Sequence, residues 1–167
     1  MTTSHASRRL FFALWPNQRV RAALVDRQAG LTGRPIEAAK LHLTLAFLGQ
    51  QSAAVVPGLC ALLHAMPAGP LALQFDCYGV FGGARVTWAG MREPPATLMA
   101  CQQRLALALR QYCAGADARP YLPHVSLTRQ GGAAVPAQMA PLRWLARHLV
   151  LVESAGGAYR VIASRRL

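Results

Sequence analysis

Leu41-His42-Leu43-Thr44-Leu45 and Pro123-His124-Val125-Ser126-Leu127 are two versions of one pattern: histidine, an aliphatic residue, a hydroxyl, then leucine. The histidines are 124 − 42 = 82 residues apart, about half of the 167-residue chain. Each copy reads as the middle of a strand, and each follows a strand–helix unit of similar length. That spacing is what a duplicated lobe produces. Side chains alternate faces along a strand, so His42 and Thr44 share one face, as do His124 and Ser126. Leu43, Leu45, Val125 and Leu127 then point into a core. Two such lobes about a pseudo-two-fold axis would bring two imidazoles and two hydroxyls to one cleft.

The rest of the chain reads outward from these strands. Residues 1–8 are expected to fray. Arg9 to Trp15 is dense in Phe, Leu and Trp and reads as a buried strand. Pro16-Asn17 opens a helix to about Ala29, closed by Gly30. A strand centred on 41–47 follows, then a helix from Ala53 to Met66. Leu71 to Phe81 and Ala84 to Met91 read as a hairpin across Gly82-Gly83. Pro94-Pro95 starts a helix from Ala96 to Ala114. Tyr121 to Thr128 is the second motif strand. Leu142 to Glu153 and Tyr159 to Ala163 read as the last two strands. The irregular alternation and the hairpins favour an α+β fold over a doubly wound parallel sheet. The expected architecture is a single domain over 1–167 with two pseudo-symmetric lobes. Each is an antiparallel sheet with helices on its outer face, around a central cleft.

Composition narrows the chemistry. Eighteen Lys+Arg against six Asp+Glu give a net charge of +12, and all the cations but Lys40 are arginines. A hydrophobic fraction of 53% excludes a disordered basic tail. The charge favours an anionic partner, and the planar guanidinium fork suits phosphate. An Ala- and Arg-rich composition also explains many of the arginines without any partner. The six carboxylates are Asp26, Glu37, Asp76, Glu93, Asp117 and Glu153, and no two lie within ten residues. Nothing in that spacing resembles a divalent-metal site or a paired-carboxylate mechanism. Cys60, Cys77, Cys101 and Cys113 lack a Cys-x-x-Cys and read as reduced core thiols. Neither a dinucleotide nor a nucleotide-triphosphate loop is present. Ser7-Arg8-Arg9 resembles a twin-arginine signal, but the apolar run after it spans only 10–15. A cytoplasmic protein with no membrane span is expected.

Two histidines near neutral pKa can act as one acid and one base at the same pH. Hydroxyls can donate to the non-bridging oxygens of a phosphate. This is metal-free phosphodiester chemistry, in keeping with the carboxylate shortage. A single strand histidine is more often a satisfied structural residue. Two at matched positions, each with a hydroxyl two residues on, are not. His5, His64 and His148 lack that pattern and are set aside.

These residues resemble the 2H phosphoesterases, and specifically the bacterial RNA 2′,3′-cyclic phosphodiesterases, also called 2′-5′ RNA ligases. The resemblance extends to Arg9-Leu10-Phe11-Phe12-Ala13-Leu14-Trp15-Pro16, to Ala46-Phe47-Leu48-Gly49 after the first motif, and to Leu151-Val152-Glu153-Ser154 with Gly157 and Tyr159. One departure is Ser126 where the family usually has Thr; the hydroxyl is retained. The resemblance implies hydrolysis of an RNA 2′,3′-cyclic phosphate to a 2′-phosphate, and possible ATP-independent 2′-5′ ligation. It implies His124 as proton acceptor and His42 as proton donor, without a cofactor. The residues themselves leave the two histidines equivalent. A monomer acting on RNA ends is expected. A cyclic phosphate on a smaller nucleotide such as an ADP-ribose derivative, or an RNA-end-binding module without turnover, are the alternatives.

Phe47 and Arg129 each lie five residues after a motif histidine. Strict alternation turns both away from the cleft; a bulge after either motif would turn them inward. Arg129 would then join Thr44 and Ser126 in binding phosphate, and Phe47 would stack on a base. Tyr121, three residues before His124, is a second stacking candidate.

Overall fold

The computed structural model describes residues 7–113, 120–132 and 134–167. His5 and Asp117 lie outside them, as does most of the segment expected to fray. Strand β1 spans Ser7–Leu14 and so takes in Ser7 and Arg8, two residues ahead of the expected strand start at Arg9. Helix α1 is Gln18–Asp26, capped by the Asn17 side chain, which accepts from Val20 N–H at 2.9 Å. Next come β2 (Arg34–Pro35), β3 (Leu43–Ser52) and α2 (Val56–Ala65). Strands β4 (Leu71–Phe75), β5 (Cys77–Phe81) and β6 (Val86–Gly90) precede α3 (Ala96–Leu109). The chain closes with β7 (His124–Arg129), β8 (Leu142–Ala146), β9 (His148–Ala155) and β10 (Ala158–Arg166).

Every strand pairing is antiparallel, as the α+β reading expects. One sheet has the order β10-β9-β1-β3 and holds the first motif. A second has the order β2-β7-β6-β5 and holds the second motif. A third sheet, β4-β8, was not expected. It arises because two runs read as single strands each change sheet. The first breaks at Asp76, whose N–H bonds Gly90 O while its carboxylate accepts from Arg92 N–H. The second breaks at Arg147, whose carbonyl accepts from Leu167 N–H. Neither run contains a Pro or Gly at its break, so both look continuous, and only pairing partners separate them.

The lobes are therefore not the two halves of the chain. Strand β9, with β10 beyond it, returns to pair with β1, which becomes an interior strand between β9 and β3. That suits Leu10-Phe11-Phe12-Ala13-Leu14, all buried at 3% exposure or less and so covered on both faces. Helix α2 packs on β9 and β10, α3 on β3, and α1 on β8. One continuous core joins both lobes, with Leu10, Phe12, Leu43 and Leu45 from one sheet and Ala89, Val125 and Leu127 from the other.

Candidate active site

The two motif sheets face one another across a cleft of about 580 Å³. His42, Thr44, Phe47, His124, Ser126 and Arg129 all line it. The histidines stand at strand beginnings rather than mid-strand: β3 starts one residue after His42, and β7 starts at His124.

Matched bulges turn Phe47 and Arg129 inward. Along β3, Ala13 faces Thr44 and Phe12 faces Ala46, leaving Leu45 as an extra residue. Along β7, Trp88 faces Ser126 and Thr87 faces Thr128, leaving Leu127 extra. The bulges are 127 − 45 = 82 residues apart, the spacing of the histidines. Each adds one core-facing residue, so the next cleft-facing position comes three residues after the hydroxyl instead of two. A second irregularity in β3 leaves Leu48 unpaired as well. Phe47 is 56% exposed, with the Arg9 guanidinium 5.0 Å from its ring centroid.

The two imidazoles are held in the same way. His42 Nδ1–H donates to Lys40 O at 2.6 Å, and His124 Nδ1–H to Leu122 O at 2.8 Å. Each acceptor is the carbonyl two residues upstream. A carbonyl at Nδ1 fixes that nitrogen as the donor, so Nε2 of each neutral ring is left as the base. His42 Nε2 lies 3.0 Å from Thr44 Oγ1. Among the described residues Ser126 makes no such bond to its own histidine.

The walls differ. His42 stacks on Phe11 at 4.8 Å and on Trp15 at 5.8 Å, with Tyr159 edge-on at 5.5 Å. Burial in this aromatic cage lowers its pKa to about 4; the cations of Arg21 and Arg129 and the His124 ring push the same way, and the Lys40 carbonyl opposes. His124 packs against Phe81 at 4.9 Å and Trp88 at 6.0 Å, and burial lowers its pKa too. Trp88 lies flat across β5 and β6: a Cβ on Gly79 would be 2.0 Å from its ring, and one on Gly90 2.5 Å. Both imidazoles are thus neutral near pH 7 in the free protein. A phosphate anion between them would favour the charged form and raise both pKa values.

The cleft is cationic. Arg9, Arg34, Lys40 and Arg129 line it against one carboxylate, Glu37, which pairs with Lys40 at 3.1 Å. Arg34 stands opposite Arg129 in the β2–β7 pairing. Arg9, Arg34, Lys40, Phe11, Tyr159 and Trp88 were not singled out from sequence. Lys40 and Arg9 had a usable signal, each being two residues before a cleft-facing side chain, His42 and Phe11. Arg34, Trp88 and Tyr159 depend on strand pairing, which no local pattern encodes.

Tyr121 does not line the cleft. Its ring packs against the core, its hydroxyl donates to Thr44 O at 2.9 Å, and burial raises its pKa. It cannot stack on a ligand from there; it straps the approach to the second motif onto the strand of the first. His64 and His148 lie outside the cleft lining, as expected. The described residues hold no cluster of His, Cys, Asp and Glu suited to a metal ion. No helix among them is long and apolar enough to cross a membrane.

A family model described as the 2′-5′ RNA ligase superfamily matches residues 16–158. The chain is 35% identical over 141 residues to the RNA 2′,3′-cyclic phosphodiesterase of Escherichia coli K12, covering 81% of this chain and 80% of that protein. It is 32% identical to the Thermus thermophilus protein of the same name, over 87% of this chain and 81% of that one. The crystal structure of E. coli LigT complexed with 3′-AMP matches with a TM-score of 0.84 at 30% identity, covering 97% of this chain and 99% of that one.

Proposed function

Because this chain belongs to the 2′-5′ RNA ligase superfamily, we propose that it hydrolyses the 2′,3′-cyclic phosphate at an RNA end to a 2′-phosphate. One observation carries the reading: two neutral imidazoles, pinned alike at Nδ1, present Nε2 to one cationic cleft. His124 Nε2 takes a proton from water as its oxygen bonds to phosphorus. The bond from phosphorus to the 3′ oxygen breaks, and His42, protonated at Nε2 once the anion is bound, gives its proton to that oxygen. Thr44, Ser126 and Arg129 bind the non-bridging oxygens, where negative charge develops. Phe47 stacks on the terminal base. The same sequence, with a 5′ hydroxyl in place of water, forms a 2′-5′ junction. The acid, the base and the anion ligands are all side chains, so the reaction takes no metal and no cofactor. The chain works as a single domain and a monomer in the cytoplasm.

The test is turnover of a 2′,3′-cyclic-ended oligonucleotide in EDTA, with the product identified. Wild-type protein should yield a 2′-phosphate, and His42→Ala and His124→Ala should each lower kcat by at least about a hundredfold. Activity lost to chelator, or kept in either variant, would sink the two-histidine mechanism. Binding without turnover would identify an end-binding module. Preference for a small cyclic nucleotide over the oligomer would reassign the substrate.

A further inference from the structure

Each bulge carbonyl is met by a glutamine from the other half of the chain. Leu127 O accepts from Ile36 N–H at 2.8 Å and from Gln28 Nε2 at 2.9 Å. The same amide nitrogen donates to Ile36 O at 2.8 Å, so both of its hydrogens go to carbonyls. Gln28 lies just past α1, 99 residues from Leu127. Leu45 O accepts from Gln102 Nε2 of α3 at 3.4 Å, and the neighbouring Thr44 O is the acceptor for Tyr121.

We propose that Gln28 and Gln102 are reciprocal positioning residues: Gln28 holds the Leu127 bulge that turns Arg129 into the cleft, and Gln102 holds the Leu45 bulge that turns Phe47 into it. A bulge interrupts the ladder, and side-chain donors on its carbonyl hold it against a drift towards regular pairing. At Leu127 the Gln28 amide adds a second donor to a carbonyl that Ile36 N–H already satisfies, and so ties the bulge to β2. Regular pairing would put Arg129 on the face opposite Ser126. Gln28 reaches further than the bulge. By bonding Ile36 as well, it fixes the exit of β2, whose Arg34 stands opposite Arg129. The amide is half-buried among these carbonyls and does not line the cleft, so it acts only through the strands. The inference rests on Arg129 as a phosphate ligand.

The test is a cycle of Gln28→Met and Arg129→Ala, with inorganic phosphate titrated calorimetrically. Met keeps the unbranched length and removes both donors. Gln28→Met should weaken phosphate binding about tenfold, the scale of one impaired charged contact. It should cause no further loss once Arg129 is Ala. A purely structural role would lower the thermal midpoint and weaken phosphate equally in both backgrounds. That result, or unchanged phosphate affinity in Gln28→Met, overturns the proposal. Gln102→Met should leave inorganic phosphate unaffected and weaken a nucleoside 2′-monophosphate severalfold; if Gln28→Met fails to fold, unchanged nucleotide affinity here overturns the proposal instead. Absence of turnover in wild type would refute the catalytic reading while leaving the phosphate titration intact.

Discussion

At the scale of single residues the two histidines are alike in connection and unlike in surroundings. His42 sits in an aromatic cage with its pKa at about 4, against 6.5 in the unfolded chain. The folded state therefore binds this proton less well than the unfolded state. The neutral ring's contribution is complete above pH 6.5 and is lost as pH falls towards 4. At 1.36 kcal/mol per pH unit, that window is worth about 3 kcal/mol. Urea unfolding at a series of pH values should show His42→Gln losing less stability than wild type across it; parallel curves would mean the imidazole is more hydrated than the cage implies. The same property shapes the rate. His42 must be protonated and His124 neutral, so kcat/KM should be bell-shaped in pH, its limbs set by the free protein's two imidazoles. Loss of one limb in His42→Ala or His124→Ala residual activity would assign that limb.

At the scale of elements, the motif's chemistry depends on places where strands are irregular. The sequence makes His42/Thr44 and His124/Ser126 legible because period-two alternation holds over those few residues. It leaves Phe47 and Arg129 conditional on bulges. A bulge is a contest between ladder pairing and bonds such as those of Gln28, which come from ninety-nine residues away. The Trp88 wall is similar. It needs residues without side chains across from it on β5, and Gly79 is one. Gly79→Ala should push Trp88 from its seat, lower stability by about 1–3 kcal/mol and weaken catalysis through His124. Tryptophan fluorescence and denaturant midpoints will detect it; an unaltered midpoint would mean the indole has room to tilt. Tyr121 marks the limit of local reading. Its place near His124 in sequence suggested the cleft, whereas its hydroxyl satisfies Thr44 O.

At the scale of the molecule, charge and core act over longer distances than any motif. The main core cluster runs through both lobes, and β9 and β10, which complete the first sheet, follow every strand of the second along the chain. Equilibrium unfolding should therefore be a single cooperative transition, with circular dichroism and fluorescence coincident. Two resolved transitions would show the lobes to be separable. The +12 charge is spread well beyond the cleft. If arginines outside it also meet the RNA strand, KM for a cyclic-ended oligonucleotide should rise steeply with salt, and KM for a 2′,3′-cyclic mononucleotide far less. Equal slopes would confine the electrostatic recognition to Arg9, Arg34, Lys40 and Arg129.

The amino-acid sequence by itself determined the duplicated motif, the antiparallel α+β class, the matched imidazole–hydroxyl faces and the scarcity of carboxylates. Each of these follows from residue type and short-range periodicity, which act within a few positions of the chain. The tertiary structure decided the exchange of strands between halves, the third sheet, the inward turn of Phe47 and Arg129, and the unequal walls around His42 and His124. Those depend on which strands pair and on which buried carbonyls find donors. Such pairings are settled by contacts between residues tens of positions apart, and no local pattern carries them.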